Sequence, residues 1–288
     1  MVVMAILTVL CAILFPVFAA ARGAADRAVC ISNLHTLTSG THLYADDYDD
    51  RLMPVNQNPG ATNSTSRNDR TWVQNLLPYV NSFSVFRCPA DHTPRPSPET
   101  TYDQDLVPGD TDSQYYTASL RSNYGYNSQN LAPITLEGGR WAAQPRSFSQ
   151  IAEPSKTLLF VESAWQYLAD REPTGGGNWL VVPPCRYYAG SHVDSFTGQA
   201  GGRVPVFTTA LGWTGTQSGI KADFEGGGMA DPQLYGNAWP WHNGHMNAAR
   251  SDGSVKYLNP AQLGQGCDVQ EAWRGAIFDR TIYMWDIN

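Results

Sequence analysis

The first 21 residues, MVVMAILTVLCAILFPVFAAA, carry no side-chain charge, and Thr8 is their only side chain more polar than cysteine. The first charge is Arg22. At ~1.5 Å rise per residue such a run makes a helix of ~32 Å, about the thickness of a bilayer core. Three roles fit it. A cleaved secretory signal has a basic leading region and a small-residue cleavage site. Ala19-Ala20-Ala21 can serve as that site, but no Lys or Arg precedes the apolar run. A membrane anchor needs nothing beyond the length. The third role, packing between copies of the chain, depends on the residues beyond Ala21.

The helical pattern continues past Ala21. Cys30, Leu34, Leu37, Tyr44 and Tyr48 recur in steps of three and four with Thr41 in the same stripe, which predicts a one-sided amphipathic helix. Gly40 weakens it by ~1 kcal/mol relative to Ala. The sequence predicts one helix of ~50 residues, apolar all round at first and one-sided afterwards.

Three short segments give the chain a relative class. Phe15-Pro16-Val17-Phe18, Cys30-Ile31-Ser32-Asn33-Leu34 and Tyr44-Ala45-Asp46-Asp47-Tyr48 resemble the N-terminal region of bacterial type IV pilin-like proteins and pseudopilins. Phe86-Arg87-Cys88-Pro89, Ser122-Asn123-Tyr124-Gly125-Tyr126-Asn127 and Pro154-Ser155-Lys156-Thr157 running to Glu162 fit the same large-headed branch. So does its C-terminal motif of His, nine residues, then Asp-Gly, with His242 and Asp252-Gly253 at that spacing. The resemblance implies a long N-terminal helix bearing an α+β head dominated by antiparallel sheet. It implies residues 1–50 as the pilin-like helix, 1–21 being its membrane or filament-core part, and 51–288 as an extracellular head.

Such proteins begin with a basic leader, a cleavage glycine and a glutamate near the mature N-terminus, none of which precedes Phe15 here. Aligned on Phe-Pro-Val-Phe, the resemblance implies about six further residues ahead of Met1, or else a different maturation. Arg22 and Arg27 directly after the apolar run would place the head in the cytoplasm by the positive-inside rule. A basic leader in the missing segment reverses that assignment, and the head is expected outside.

The chain has 288 residues and a formal charge of −7, so no basic surface draws it to nucleic acid. Charged residues make up only 16%, against 26 Gly and 19 Pro, a profile that suits a β-rich extracellular protein with long ordered loops. Of five cysteines, Cys11 lies in the apolar run. Cys30, Cys88, Cys185 and Cys267 are widely spaced with no Cys-x-x-Cys pair and allow three pairings, or four buried free thiols. The resemblance pairs Cys30 with Cys88 and leaves Cys185 with Cys267.

Beyond the helix, Asn63-Ser64-Thr65 is a glycosylation acceptor by pattern. Thr71 to Val80 predicts a short helix with Trp72, Leu76 and Tyr79 on one face and Asp69 as a candidate N-cap. Tyr115 to Asn127 alternates weakly, and Lys156 to Ser163 reads as a buried strand. Trp179 to Val182 and Val204 to Thr209 are further strand candidates. Met246 to Tyr257 predicts two strands around Asp252-Gly253, a dipeptide suited to a tight turn with positive φ. His242, Asp252 and Gly253 are expected to hold the strands Met246–Ser251 and Ser254–Leu258 in register.

Residues with catalytic spacing are scarce. There is no nucleophile elbow, paired-histidine zinc helix, Walker loop or dinucleotide fingerprint, and the two glycine triplets join no strand to a helix. No catalytic role is assigned, and no cofactor is expected apart from a candidate Ca²⁺ site. His242-x-x-His245 with Asp252 is a candidate metal set, and a hairpin-fixing role is the alternative. Asp46, Asp47, Asp49 and Asp50, like Asp103, Asp105, Asp110 and Asp112, offer hard oxygens suited to Ca²⁺, though neither set has EF-hand spacing. A solvated acidic surface is the preferred reading of each set.

The sequence thus predicts a structural, non-enzymatic subunit. Val2, Val3, Ile6, Leu7, Leu10, Ile13, Leu14, Phe15, Pro16 and Phe18 are expected to pack between copies, with a break or kink at Pro16, whose ring lacks an N–H and crowds the carbonyl of Ala12. The expected partners are further copies of the chain, the inner membrane before assembly, and a pilus or type II secretion-type assembly machinery. The alternative is a membrane-anchored extracellular binding protein, glycans being one ligand class, that does not polymerise.

Overall fold

A computed structural model describes residues 2–55, 70–93, 119–137, 140–167, 173–188, 234–268 and 275–287. Helix α1 (Val2–Asp47) runs without interruption for 46 residues, about 69 Å at the standard rise. Pro16 lies inside it, and the helix is unbroken from Ala12 to Pro16 in the single chain. A lone proline removes one N–H, and the remaining ladder carries the helix through. From Cys30 onward one face is buried: Cys30, Leu34, Leu37, Thr41 and Tyr44, as the three-and-four stripe requires. Tyr48 ends the stripe exposed, its ring stacked on Tyr44 with centroids 4.2 Å apart.

Gly40 has a packing role. A Cβ there would lie 3.0 Å from Val80 Cγ1 and 3.2 Å from Leu76 Cδ1, so its absence lets α2 (Trp72–Val80) approach α1 closely. The cap of α2 is Thr71, not Asp69, which lies outside the described residues. Thr71 Oγ1 accepts from Gln74 N while its own N–H donates to Gln74 Oε1, a reciprocal capping box. Trp72 and Leu76 are buried, and Tyr79 is half-buried.

The main sheet is antiparallel, with β1 (Tyr124–Tyr126), β4 (Leu158–Glu162), β8 (Met246–Arg250) and β9 (Val255–Leu258) in the order β1-β4-β8-β9. Smaller pairs join β2 (Ile134–Glu137) to β3 (Arg140–Ala143), and β5 (Gln166–Tyr167) to β6 (Pro173–Thr174). A parallel pair joins β7 (Cys185–Tyr188) to β10 (Gly275–Ile277). The class is α+β with a long apolar helix ahead of the head. Strand β4 is central and wholly buried. Leu159 and Phe160 join the core shared with α1 and α2, while Leu158 and Val161 join a second core with Trp285 and Ile277. A register irregularity between Leu158 and Phe160 breaks simple alternation along the strand.

Two strand expectations need correction. The Tyr115–Asn127 segment is a strand only at β1, its first residues being outside the described ones. Trp179–Val182 is not a strand but makes one bridge, Leu180 to Tyr126. Its neighbouring backbone groups pair irregularly: Leu180 N donates to Asn178 Oδ1, and Trp179 O accepts from Trp72 Nε1. No regular ladder forms without alternating backbone partners. Val204–Thr209, Asn63-Ser64-Thr65 and Asp103, Asp105, Asp110 and Asp112 lie outside the described residues.

Candidate functional site: an exposed apolar rod and a buried Cys–Glu–His centre

Two features stand apart from ordinary packing. The first is the rod. Val2, Val3, Ile6, Leu7, Leu10, Ile13, Leu14, Phe15 and Phe18 are each at least 50% exposed, and Pro16 is exposed beside them. They cover the whole circumference of the first five turns, and no part of the head covers this stretch. Its length and composition suit a membrane span, as an anchor or a signal sequence would. A contiguous apolar surface of this size marks a contact with lipid or with protein.

The second feature lies where the helix enters the head. Cys30, on the buried face of α1, is joined by a disulfide to Cys88, which follows the short 3-10 turn Phe83–Phe86. A second disulfide joins Cys185 at the start of β7 to Cys267, while Cys11 is free and exposed. Next to the first bridge, Glu162 ends β4 with its side chain fully buried. An apolar strand delivers this carboxylate to the interior, so it needs partners. Asn247 N (2.7 Å) donates to Oε2, and Asn247 Nδ2 (2.9 Å) donates to Oε1. His242 Nε2 lies 3.0 Å from Oε1 and 3.6 Å from Cys88 Sγ. The His242 carbonyl accepts from the Tyr257 hydroxyl at 2.7 Å, and Cys88 N donates to Asn123 Oδ1 at 3.1 Å. Among the described residues, Cys30, Cys88, Glu162 and His242 form the one group of metal-ligand type whose atoms converge, all within 4.8 Å of one another.

His242 and the Asp252-Gly253 pair stand at opposite ends of the hairpin. Asp252 and Gly253 do make the hairpin turn: Asp252 Oδ1 accepts from Ser254 N at 2.9 Å, Gly253 N donates to Arg250 O at 3.0 Å, and Gly253 has φ +88°. His242 is not part of that turn. It sits at the opposite end of β8, where its backbone exchanges two hydrogen bonds with His245 and its side chain meets Glu162. The nine residues between His242 and Asp252 include the whole of β8. His245 does not join His242 as a ligand pair; its ring stacks on Tyr257 at 4.7 Å.

The acidic residues that end α1 face separate partners. Asp47 Oδ2 accepts from the Tyr79 hydroxyl at 2.8 Å, and Asp50 Oδ2 accepts from Ser149 N and its hydroxyl. The Ser149 bonds hold the Asp50 carboxyl below its ordinary range. Asp46 and Asp49 are exposed, and Asp49 takes positive φ in the turn that ends the helix. These four do not converge on one point as a Ca²⁺ site requires.

Comparison with known proteins bears on the first feature. Residues 19–82 match a family model described as "Protein of unknown function (DUF1559)", SBP_bac_10. The matched stretch is the second half of α1 together with α2, the two helices that meet at Gly40. The sheet, Glu162 and His242 lie beyond it. No curated protein and no solved structure matches the chain. The match and the apolar helix are together consistent with a pilin-like surface protein.

Proposed function

We propose that the chain is a structural subunit that polymerises through α1 into an extracellular pilus-like or pseudopilus filament, without enzymatic activity. One observation carries this reading: α1 is a single rod whose C-terminal half is locked into the head while its N-terminal half is apolar on every side and uncovered. Such a helix is stable in a membrane as a stored monomer, and equally stable in a bundle of its own kind after extraction. Copies related by a rotation and a rise that never close make a helical filament, with rods inside and heads outside. The family match to the helical region supports the same reading. The assembly machinery of such a filament would be of the pilus or type II secretion kind.

Negative-stain microscopy of material sheared from expressing cells tests this. Regular fibres containing the chain are expected. Chain that stays in the membrane fraction, with no fibres under any expression level, would assign α1 to anchoring alone.

A further inference from the structure

We propose that the dithiol form of the chain binds one zinc ion between Cys30 Sγ, Cys88 Sγ, Glu162 Oε1 and His242 Nε2, and that this ion and the Cys30–Cys88 disulfide exclude one another. The inference is independent of whether the chain polymerises.

The donor set comes first. Two thiolates, one imidazole nitrogen and one carboxylate oxygen form a four-ligand set that Zn²⁺ accepts in tetrahedral geometry. With Zn–S of about 2.3 Å and Zn–N or Zn–O of about 2.0 Å, the sulfur–nitrogen edge of a tetrahedron is about 3.5 Å and the nitrogen–oxygen edge about 3.3 Å. Cys88 Sγ and His242 Nε2 already stand 3.6 Å apart, and His242 Nε2 and Glu162 Oε1 stand 3.0 Å apart. The Cα atoms of Cys30 and Cys88 are 5.5 Å apart. Once the bond is opened, side-chain rotation can bring the sulfurs to the roughly 3.8 Å edge that two zinc-bound thiolates need.

The surroundings suit a metal as well. Asn247 fixes both oxygens of Glu162, and Tyr257 fixes the carbonyl of His242, the kind of support that orients ligands before metal arrives. All four ligands are buried, so soft thiolates rather than water define the first shell. A cavity of ≈ 500 Å³ between α1 and the head, lined by Arg27, His92, Trp241, His242 and Tyr257, borders the centre at His242. The four ligands come from α1, the segment after the 3-10 turn, the end of β4 and the approach to β8. An ion there would join the segments that the disulfide and the Glu162–His242 contact join now.

The chemistry balances in both directions. A phosphine attacks the disulfide and, with water, leaves as phosphine oxide and two protein thiols. Zn²⁺ then displaces the two thiol protons to solvent, while the imidazole binds through Nε2 with its proton on Nδ1. In reverse, one protein thiolate attacks a disulfide donor and the other displaces it, so the donor departs as two thiolates that take two protons from solvent, and the ion is released as the Cys30–Cys88 bond forms.

The test uses the full chain in detergent micelles, oxidised or phosphine-reduced under argon, titrated with Co²⁺ as a spectroscopic stand-in for zinc. The reduced chain should take one Co²⁺ with tetrahedral d–d bands and a thiolate charge-transfer band, both abolished by Zn²⁺, and the oxidised chain should show neither. The double variant Cys185→Ser/Cys267→Ser should keep the signal, Cys30→Ser/Cys88→Ser should lose it, and Glu162→Gln should weaken affinity by at least about tenfold. A reduced chain that stays folded by near-UV circular dichroism yet binds no Co²⁺ would overturn the proposal. So would a charge-transfer band that survives in Cys30→Ser/Cys88→Ser, or equal binding by the oxidised chain. If a cysteine variant misfolds, the oxidised and reduced wild-type titrations decide between the outcomes alone.

Discussion

Glu162 Oε1 lies 3.0 Å from His242 Nε2, with the carboxylate fully buried and the imidazole nearly so. The buried Glu162 carboxylate depends on Asn247, whose backbone N–H and side-chain Nδ2 donate to it, and on His242 Nε2 beside it. Removing the acceptor leaves those donors unpaired in the interior. Glu162→Ala should therefore destabilise the head by about 3 kcal/mol or more. Urea unfolding followed by tryptophan fluorescence measures this. A loss below ~0.5 kcal/mol would mean that the contact holds nothing together.

The Gly40 position decides how closely the two helices pack. A methyl group at the 3.0 Å contact with Val80 requires only a small local shift, and alanine also favours helix by ~1 kcal/mol, so Gly40→Ala should be near neutral. Gly40→Leu has no space beyond that methyl and should cost about 1–3 kcal/mol by overpacking. Thermal unfolding of the two variants separates packing from helix propensity.

At the hairpin the cost is in the backbone. Gly253 has φ +88° and open space around a built Cβ, whose nearest neighbour is Thr38 Cγ2 at 3.9 Å. Gly253→Val should thus cost about 1–2 kcal/mol from strain alone. Gly253→Asn should recover most of it, because asparagine tolerates positive φ. Equal melting temperatures for the two variants would remove the strain argument.

Stability should fall at both ends of the pH scale, for different groups. Bonds from Ser149 lower the Asp50 carboxyl; at Asp252, burial pushes upward but is outweighed by bonds from Ser254 and by the Arg250 charge. Carboxyls lowered by folding contribute stability that is complete above their ordinary 3.8 and is lost as pH falls through the folded values. Asp50→Asn should flatten the acid limb of a melting-temperature profile. Tyr44, through burial and the neighbouring Tyr48, and Tyr79, through burial and Asp47, are pushed up to about 12. A phenol raised by folding stabilises fully below its ordinary 10 and loses that contribution as pH climbs towards 12. Tyr79→Phe should make the alkaline limb shallower.

The parts legible in the sequence were those with a repeating physical signature. The stripe from Cys30 to Tyr44 follows helical spacing, β4 is an unbroken apolar run, and Asp252-Gly253 is a turn dipeptide with a known backbone demand. The Cys30–Cys88 and Cys185–Cys267 bridges in the structure involve cysteines 58 and 82 residues apart, a relation that spacing alone left open. Glu162 carried a usable signal, a single acid closing the apolar strand LLFVE, which must find donors if the strand is central. Its partners were not legible: Asn247 and His242 reach it only because β8 pairs with β4, a contact 85 residues long in sequence for Asn247. Thr71 displaced Asp69 as a cap because Gln74 completes its box.

The central claim is that the exposed rod assembles the filament, and Leu10 tests it most directly. Leu10 is 58% exposed and lies in the middle of the apolar stretch, none of which is buried. Leu10→Asp places a charge where neighbouring rods or lipid would bury it, at a cost of several kcal/mol, and leaves the head untouched. Fibres counted by electron microscopy should vanish in this variant while the head keeps its wild-type melting temperature. Fibres that persist at wild-type abundance would contradict the account and remove α1 as the assembly element.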